Sequence, residues 1–150
     1  MRQHLALVAS LLVALRVLAA DLPIRPDTKL TPGAILTTDA ATVCQPGYSK
    51  SVRHTSGKLK AAIYREYGLD RTVSHFEVDH LISLELGGAD VAENLWPQSY
   101  DTVIWNAHTK DRLEDRLHAL VCAGRLPLEQ AQRDIATDWI AAYQKYLGTP

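Results

Sequence analysis

The chain has 150 residues, 16 of them Lys or Arg and 17 Asp or Glu, and 47% of the residues are hydrophobic. That length allows one domain with a single modest core, and the absence of low-complexity tracts and internal repeats excludes solenoid and compositionally biased classes. A net charge of −1 excludes attraction to nucleic acid through overall positive charge, so any such binding must come from local patches.

Residues 1–20, "MRQHLALVASLLVALRVLAA", open with Arg2 and His4, continue through an apolar stretch and end in small residues. This is the layout of a secretory signal peptide, with cleavage expected after Ala19 or Ala20 and Arg16 as an irregularity. The uninterrupted apolar run from Leu5 to Leu15 is too short to span a bilayer, so export to the periplasm or the extracellular space is expected, without stable membrane insertion after cleavage. Losing Arg2 and Arg16 leaves 14 basic against 17 acidic residues, a net −3. Cys44 and Cys122 both remain, and in an oxidising compartment they are most simply one disulfide. Closing so long a loop stabilises by roughly 4–5 kcal/mol. Metal binding by this pair is not expected, because neither cysteine has a second sulfur or a histidine at ligand spacing.

Residues 21–56 are expected to form an irregular arm, since Pro23, Pro26, Pro32, Gly33, Pro46 and Gly47 interrupt any periodicity. The body, residues 57–150, reads as helix, hairpin, helix, helix, a small α+β domain. "TSGKLKAAIYREYG" predicts a short helix capped by Ser56 or Thr55 and ended by Gly68. Phe76, Val78, Ile82, Leu84 and Leu86 alternate with polar residues, which predicts a strand, or two strand segments with a bend. Gly87–Gly88 and "ADVAEN" then form a loop, and "LWP" a return strand. A longer helix lies between Asp101 and Cys122 and stops at Gly124, with Leu113, Leu117, Leu120 and Val121 as its buried stripe. The last helix starts at Pro127 and runs to about Tyr146, burying Ile135, Trp139, Ile140, Tyr143 and Tyr146.

Chemistry concentrates in "FEVDHLISLELGGADVAENLWP", Phe76–Pro97. His80 stands where the even-numbered apolar row calls for another aliphatic residue. Asp79 beside it is a hard oxygen donor for a divalent ion, and a neutral imidazole can deprotonate a water. Both serve one site only if the strand ends or bends there. Asn94, across the glycine loop, can tie loop backbone and imidazole together. On the following helix, counting about 100° per residue from Leu117 puts Asn106 and Lys110 within about 20° of the buried stripe and His108 opposite. Asn106 is therefore preferred over His108 as a third ligand, provided that the helix is already formed there. "KSVRHTSGKLKAAIYR", Lys50–Arg65, holds five basic residues and no acid. Lys50, Arg53, Lys58 and Lys60 are its candidate phosphate contacts.

The segments "VDH…LELGG…ENLWP" and "NAHTKDRLEDRL" resemble the HNH, or ββα-metal, endonuclease family, and above all its small exported members. The similarity spans about Cys44 to Tyr146. By position it implies a ββα-metal core, Asp79 as metal-binding acid, His80 as general base, Asn94 as the asparagine that positions the base, and Asn106 or His108 as the helix ligand. The gap after Asn94 is longer than usual, and the zinc-binding cysteine pairs of many relatives are absent. The implied activity is hydrolysis of phosphodiesters with little sequence preference. It would use one divalent ion, Mg²⁺ or Mn²⁺ ahead of Zn²⁺ or Ni²⁺, with Lys110 as an electrostatic hold on phosphate. DNA is expected ahead of RNA, and the protein is expected to be a monomer. The competing expectation is an exported, disulfide-stapled binding or structural module that keeps the fold without the activity.

Overall fold

The computed structural model describes residues 23–70 and 75–150, so the expected signal peptide lies outside it. The described fold is α+β: five helices and one two-stranded antiparallel sheet. None of these helices is long and apolar enough to cross a membrane.

The arm is less irregular than its prolines suggest. Two single-turn helices interrupt it, α1 (Ala40–Val43) and α2 (Tyr48–Ser51). Asp39 caps α1 by accepting from the Ala41 amide at 3.0 Å. Elsewhere the arm is tied to the loop between the two strands that follow, through an isolated bridge between Ile35 and Gly88 and a bond from the Gly33 amide to the Glu93 carbonyl. α3 (Gly57–Glu66) follows, with Ser56 as the cap, accepting from the Leu59 amide at 3.1 Å, and Gly68 leaving the helix at φ +65°.

β1 (Phe76–His80) pairs with β2 (Leu95–Ser99), placing Asp79 opposite Trp96 and His80 opposite Leu95. The strand does not follow the apolar alternation to Leu86. It ends at His80, and Leu84–Leu86 form a 3₁₀ turn in which Leu84 and Leu86 are buried. The reason lies in where the backbone bonds go. The Ile82 amide donates to Asn94 Oδ1 and the Ile82 carbonyl accepts from Asn94 Nδ2, so a side chain replaces the next rung of the ladder.

α4 (Ala107–Cys122) buries Leu113, Leu117, Leu120 and Val121, and Gly124 at φ +66° ends it. α5 (Leu128–Leu147) is preceded by Pro127 in the cap position rather than inside the first turn. It is bent at Asp138, whose φ of −161° and ψ of 98° are not helical. The Asp138 carboxylate accepts from the Ile140 and Ala141 amides and so starts the helix again, while Arg25 from the arm pairs with it at 2.9 Å.

The main core lies between α4, α5 and the 3₁₀ turn, around Leu86, Leu113, Leu117, Ile135 and Trp139; a smaller one joins α3 to the hairpin through Ile63, Tyr64, Val78 and Leu95. Each such fully buried side chain contributes roughly 1.5–3 kcal/mol. Cys44 and Cys122 form the expected disulfide, with Cα atoms 5.6 Å apart, fastening the arm to the last turn of α4.

Candidate active site

Because β1 stops at His80, Asp79 and His80 both line one open cleft of about 180 Å³, bordered also by the 3₁₀ turn, by α4 and by Ser49 and Arg53 of the arm. The cleft has room for a cation with several waters. This meets the condition that neighbouring strand residues serve one site only where the strand ends.

His80 is 3% exposed. Its Nε2 lies 2.8 Å from Asp90 Oδ1. Asp90 also accepts from the His54 amide and from Thr55 Oγ1, so three donors converge on it. Burial opposes ionisation of Asp90, but the bonds from Thr55, His80 and His54 outweigh it and hold the carboxyl below the usual range. An ionised carboxylate only accepts, which assigns the imidazole proton to Nε2 and leaves Nδ1 with a lone pair. Nδ1 has no hydrogen-bond partner among the described residues, and His80 lines the cleft. Burial lowers the pKa of His80, against the opposing pull of Asp90, and favours the neutral form. The sequence reading missed Asp90. Its signal was one of two acids in a polar loop, ten residues from the histidine and without any distinguishing neighbour.

Asn94 is fully buried, and it ties the loop without touching the imidazole. Its amide bonds Ile82 on both backbone groups and donates to the Ala89 carbonyl at 2.9 Å. Its effect on His80 is indirect, through the turn it closes. The expected direct tie to the ring is made by Asp90 instead.

Lys110 does extend the buried stripe of α4, as its angle predicts, and its side chain is 0% exposed. Its ammonium donates to Asp79 Oδ2 at 2.6 Å, to the His80 carbonyl at 2.7 Å and to Glu114 Oε1. Burial penalises the charge, but Asp79 and Glu114 outweigh burial and hold the lysine protonated well above its ordinary range. A lysine so enclosed cannot reach a phosphate in the cleft. It locks the strand end, the Asp79 carboxylate and α4 together.

Neither expected helix ligand reaches the site. α4 begins at Ala107, and Asn106 is its cap: Oδ1 accepts from the Thr109 amide at 3.0 Å and Nδ2 donates to the Thr102 carbonyl. His108 has a side chain 75% exposed, lies against the Tyr100 ring and is absent from the cleft lining. Of the expected phosphate contacts, Arg53 lines the cleft, while Lys50, Lys58 and Lys60 are exposed and outside it.

What α4 contributes instead is acid. Asp111, Glu114 and Asp115 line the cleft, together with Glu85 from the 3₁₀ turn. Burial, then the nearby Asp79 charge, raises Asp111; burial, then Asp115 among its acidic neighbours, raises Glu85. Glu114 is raised further by burial, against the pull of Lys110. Among the described residues, one group of three metal-ligating side chains brings its ligand atoms within 4.8 Å of one another, and it lies elsewhere: Cys44, His118 and Cys122. His118 stands one turn before Cys122 on α4, a ligand spacing the sequence reading overlooked, with Nε2 3.4 Å from Cys122 Sγ. The two sulfurs are bonded to each other and offer no thiolate. No protein-family model matches the chain, and neither the curated proteins nor the solved structures contain a match.

Proposed function

We propose that the chain is an exported, metal-dependent nuclease that hydrolyses phosphodiester bonds with little sequence preference, built on an HNH-like ββα core formed by β1, β2 and α4. The observation that carries this reading is the Asp90-held His80, a neutral imidazole that lines an acidic cleft and keeps one nitrogen without a hydrogen bond among the described residues. A histidine fixed in one tautomer by a carboxylate is the arrangement of a general base.

The donor set suits a hard divalent ion. Asp79 keeps Oδ1 after Lys110 has taken Oδ2, and Asp111 adds a second carboxylate at the same cleft. Mg²⁺ and Mn²⁺ accept such sets, because they keep several waters and need few protein ligands. Zn²⁺ or Ni²⁺ would call for imidazole or thiolate, and the cleft's one imidazole is the base. When bound, the ion would supply charge neutralisation at the scissile phosphate. The chain's residues do the rest. Asp90 holds the proton on Nε2, His80 Nδ1 takes the proton of the attacking water, Lys110 fixes Asp79, and Arg53 meets the phosphate backbone from the rim. Contacts of that kind read charge and shape rather than bases.

The test is incubation of the oxidised protein with plasmid DNA and with RNA, in Mg²⁺, Mn²⁺ or EDTA, beside His80→Ala. Cutting that needs the metal and is lost in His80→Ala supports the reading, with DNA expected to be cut ahead of RNA. A second reading, a binding module without activity, draws on the burial of His80 and on the lysine already paired to Asp79. It predicts no cutting of either substrate under any metal.

A further inference from the structure

Two walls of the cleft come from distant parts of the chain. The arm supplies Ser49 and Arg53 to the lining, and its next two residues hold Asp90 through the His54 amide and Thr55 Oγ1. α4 supplies Asp111, Glu114 and Asp115. The Cys44–Cys122 disulfide is the covalent link between these walls. Its surroundings are not those of a sealed cystine. Cys122 is exposed and Cys44 half-buried, so a dissolved thiol meets Cys122 Sγ first. His118, one turn earlier on α4, brings a ring nitrogen within 4.8 Å of both sulfurs. Its Nε2 lies 3.2 Å from the Val43 carbonyl, which only accepts, so Nε2 carries a proton. The same N–H lies 3.4 Å from Cys122 Sγ. A thiolate formed on Cys122 therefore finds a donor already in place, and such a donor favours the thiolate over the thiol.

We infer that Cys44–Cys122 is an exchange-active disulfide, with His118 stabilising the Cys122 thiolate, and that it latches the arm wall of the cleft to α4. The reductant is a dithiol. One of its thiolates attacks Cys122 Sγ, the S–S bond breaks, and Cys44 leaves as a thiolate and takes up a proton. The second sulfur of the dithiol attacks the mixed disulfide and releases Cys122, whose thiolate accepts from His118 Nε2. The reductant departs as a disulfide. Two electrons and two protons have passed to the protein, the second proton to the Cys122–His118 pair. Reoxidation by a disulfide runs the same steps backwards, with Cys122 attacking and Cys44 closing the bond. Once the latch is open, packing around Val43 and Tyr48 is what holds this part of the arm to the core. The arm then slackens its grip on Asp90, and through Asp90 on His80. The exchange chemistry does not require the hydrolytic reading.

The test starts from ¹⁵N-labelled, oxidised protein treated with dithiothreitol. Reduction should speed up in proportion to the reagent, as attack on an exposed sulfur of the folded protein requires. In the reduced protein, amide shifts should gather at residues 44–55, Asp90 and residues 118–122, leave α5 unchanged, and reverse on reoxidation. Iodoacetamide at pH 7 should then alkylate Cys122 before Cys44, and His118→Gln should slow alkylation of Cys122 roughly tenfold while the oxidised fold is kept. Equal alkylation of Cys122 in parent and His118→Gln would overturn the role of His118. A reduction rate that levels off with dithiothreitol, a reduced protein that unfolds throughout, or unmoved signals at His54, Thr55 and Asp90 would overturn the latch. Where the oxidised protein cuts DNA, cutting should fall tenfold or more on reduction and return on reoxidation. The same spectral changes in a protein that cuts nothing would uphold the latch and defeat the nuclease reading alone.

Discussion

A fully buried lysine is tolerable only where its charge is matched, and Lys110 is matched by two carboxylates and a carbonyl. Removing the ammonium leaves Asp79 and Glu114 facing each other without it. Lys110→Met should therefore cost about 3–5 kcal/mol, read from urea unfolding, and Lys110→Met with Glu114→Leu should recover part of that loss. A loss within 1 kcal/mol would mean that the pair relaxes into solvent. Much of this residue-scale picture was legible: Asp79, His80 and Lys110 stood out because each is polar where the periodicity asks for an aliphatic residue or a strand neighbour. Asp90 and the acids of α4 did not, because an acid in a loop or on a helix looks the same in sequence whether it faces solvent or a cleft. Asn106 misled for a related reason. Its angle matched the stripe, yet asparagine is also a favoured helix cap, and the cap claimed it.

At the scale of elements, the loop between the strands is held by Asn94 and by two glycines with different duties. Gly87 sits at φ +76°, where side chains are strained, and Gly88 lies so close to the Ile82 carbonyl that a Cβ would overlap it and stand 2.9 Å from Asn94 Nδ2. Gly88→Ala should force the turn away from Asn94 and cost about 2–3 kcal/mol, with a matching fall in any activity that depends on His80. A variant as stable as the parent would show that the turn is held by other contacts. The glycine pair marked the loop in the sequence, but the end of the strand did not show. Apolar alternation continues through Leu84 and Leu86 because the turn is buried on both sides, and a buried turn and a half-buried strand produce the same pattern there. The bend at Asp138 was equally hidden, since an aspartate inside a helical pattern does not announce that it caps a new start, and its partner Arg25 is distant in sequence.

Across the whole molecule, a two-stranded sheet is too small to stand alone, and the α4–α5 core with the disulfide gives it a rigid support. Cys44→Ser with Cys122→Ser should lower stability by about 4–5 kcal/mol, measured against the oxidised parent in urea. An unchanged midpoint would mean that the arm is held by Arg25–Asp138 and its backbone bonds alone. The α+β class and the order of elements followed from periodicity and punctuation, and the disulfide from an even cysteine pair. The partition of charge did not, because a net charge conceals an acidic cleft bordered by a basic segment. The account rests on His80 as a base held by Asp90, and the pH dependence of plasmid cutting by the parent and by Asp90→Asn tests it most directly. Burial holds the His80 pKa below the ordinary value of about 6.5, so cutting by the parent should be level at pH 7 and fall tenfold per unit once pH drops below that lowered pKa. Asp90→Asn can place the proton on Nδ1 and should cut about 10²-fold more slowly or worse at every pH, while still folded. Equal cutting by Asp90→Asn with an unaltered profile would contradict the account.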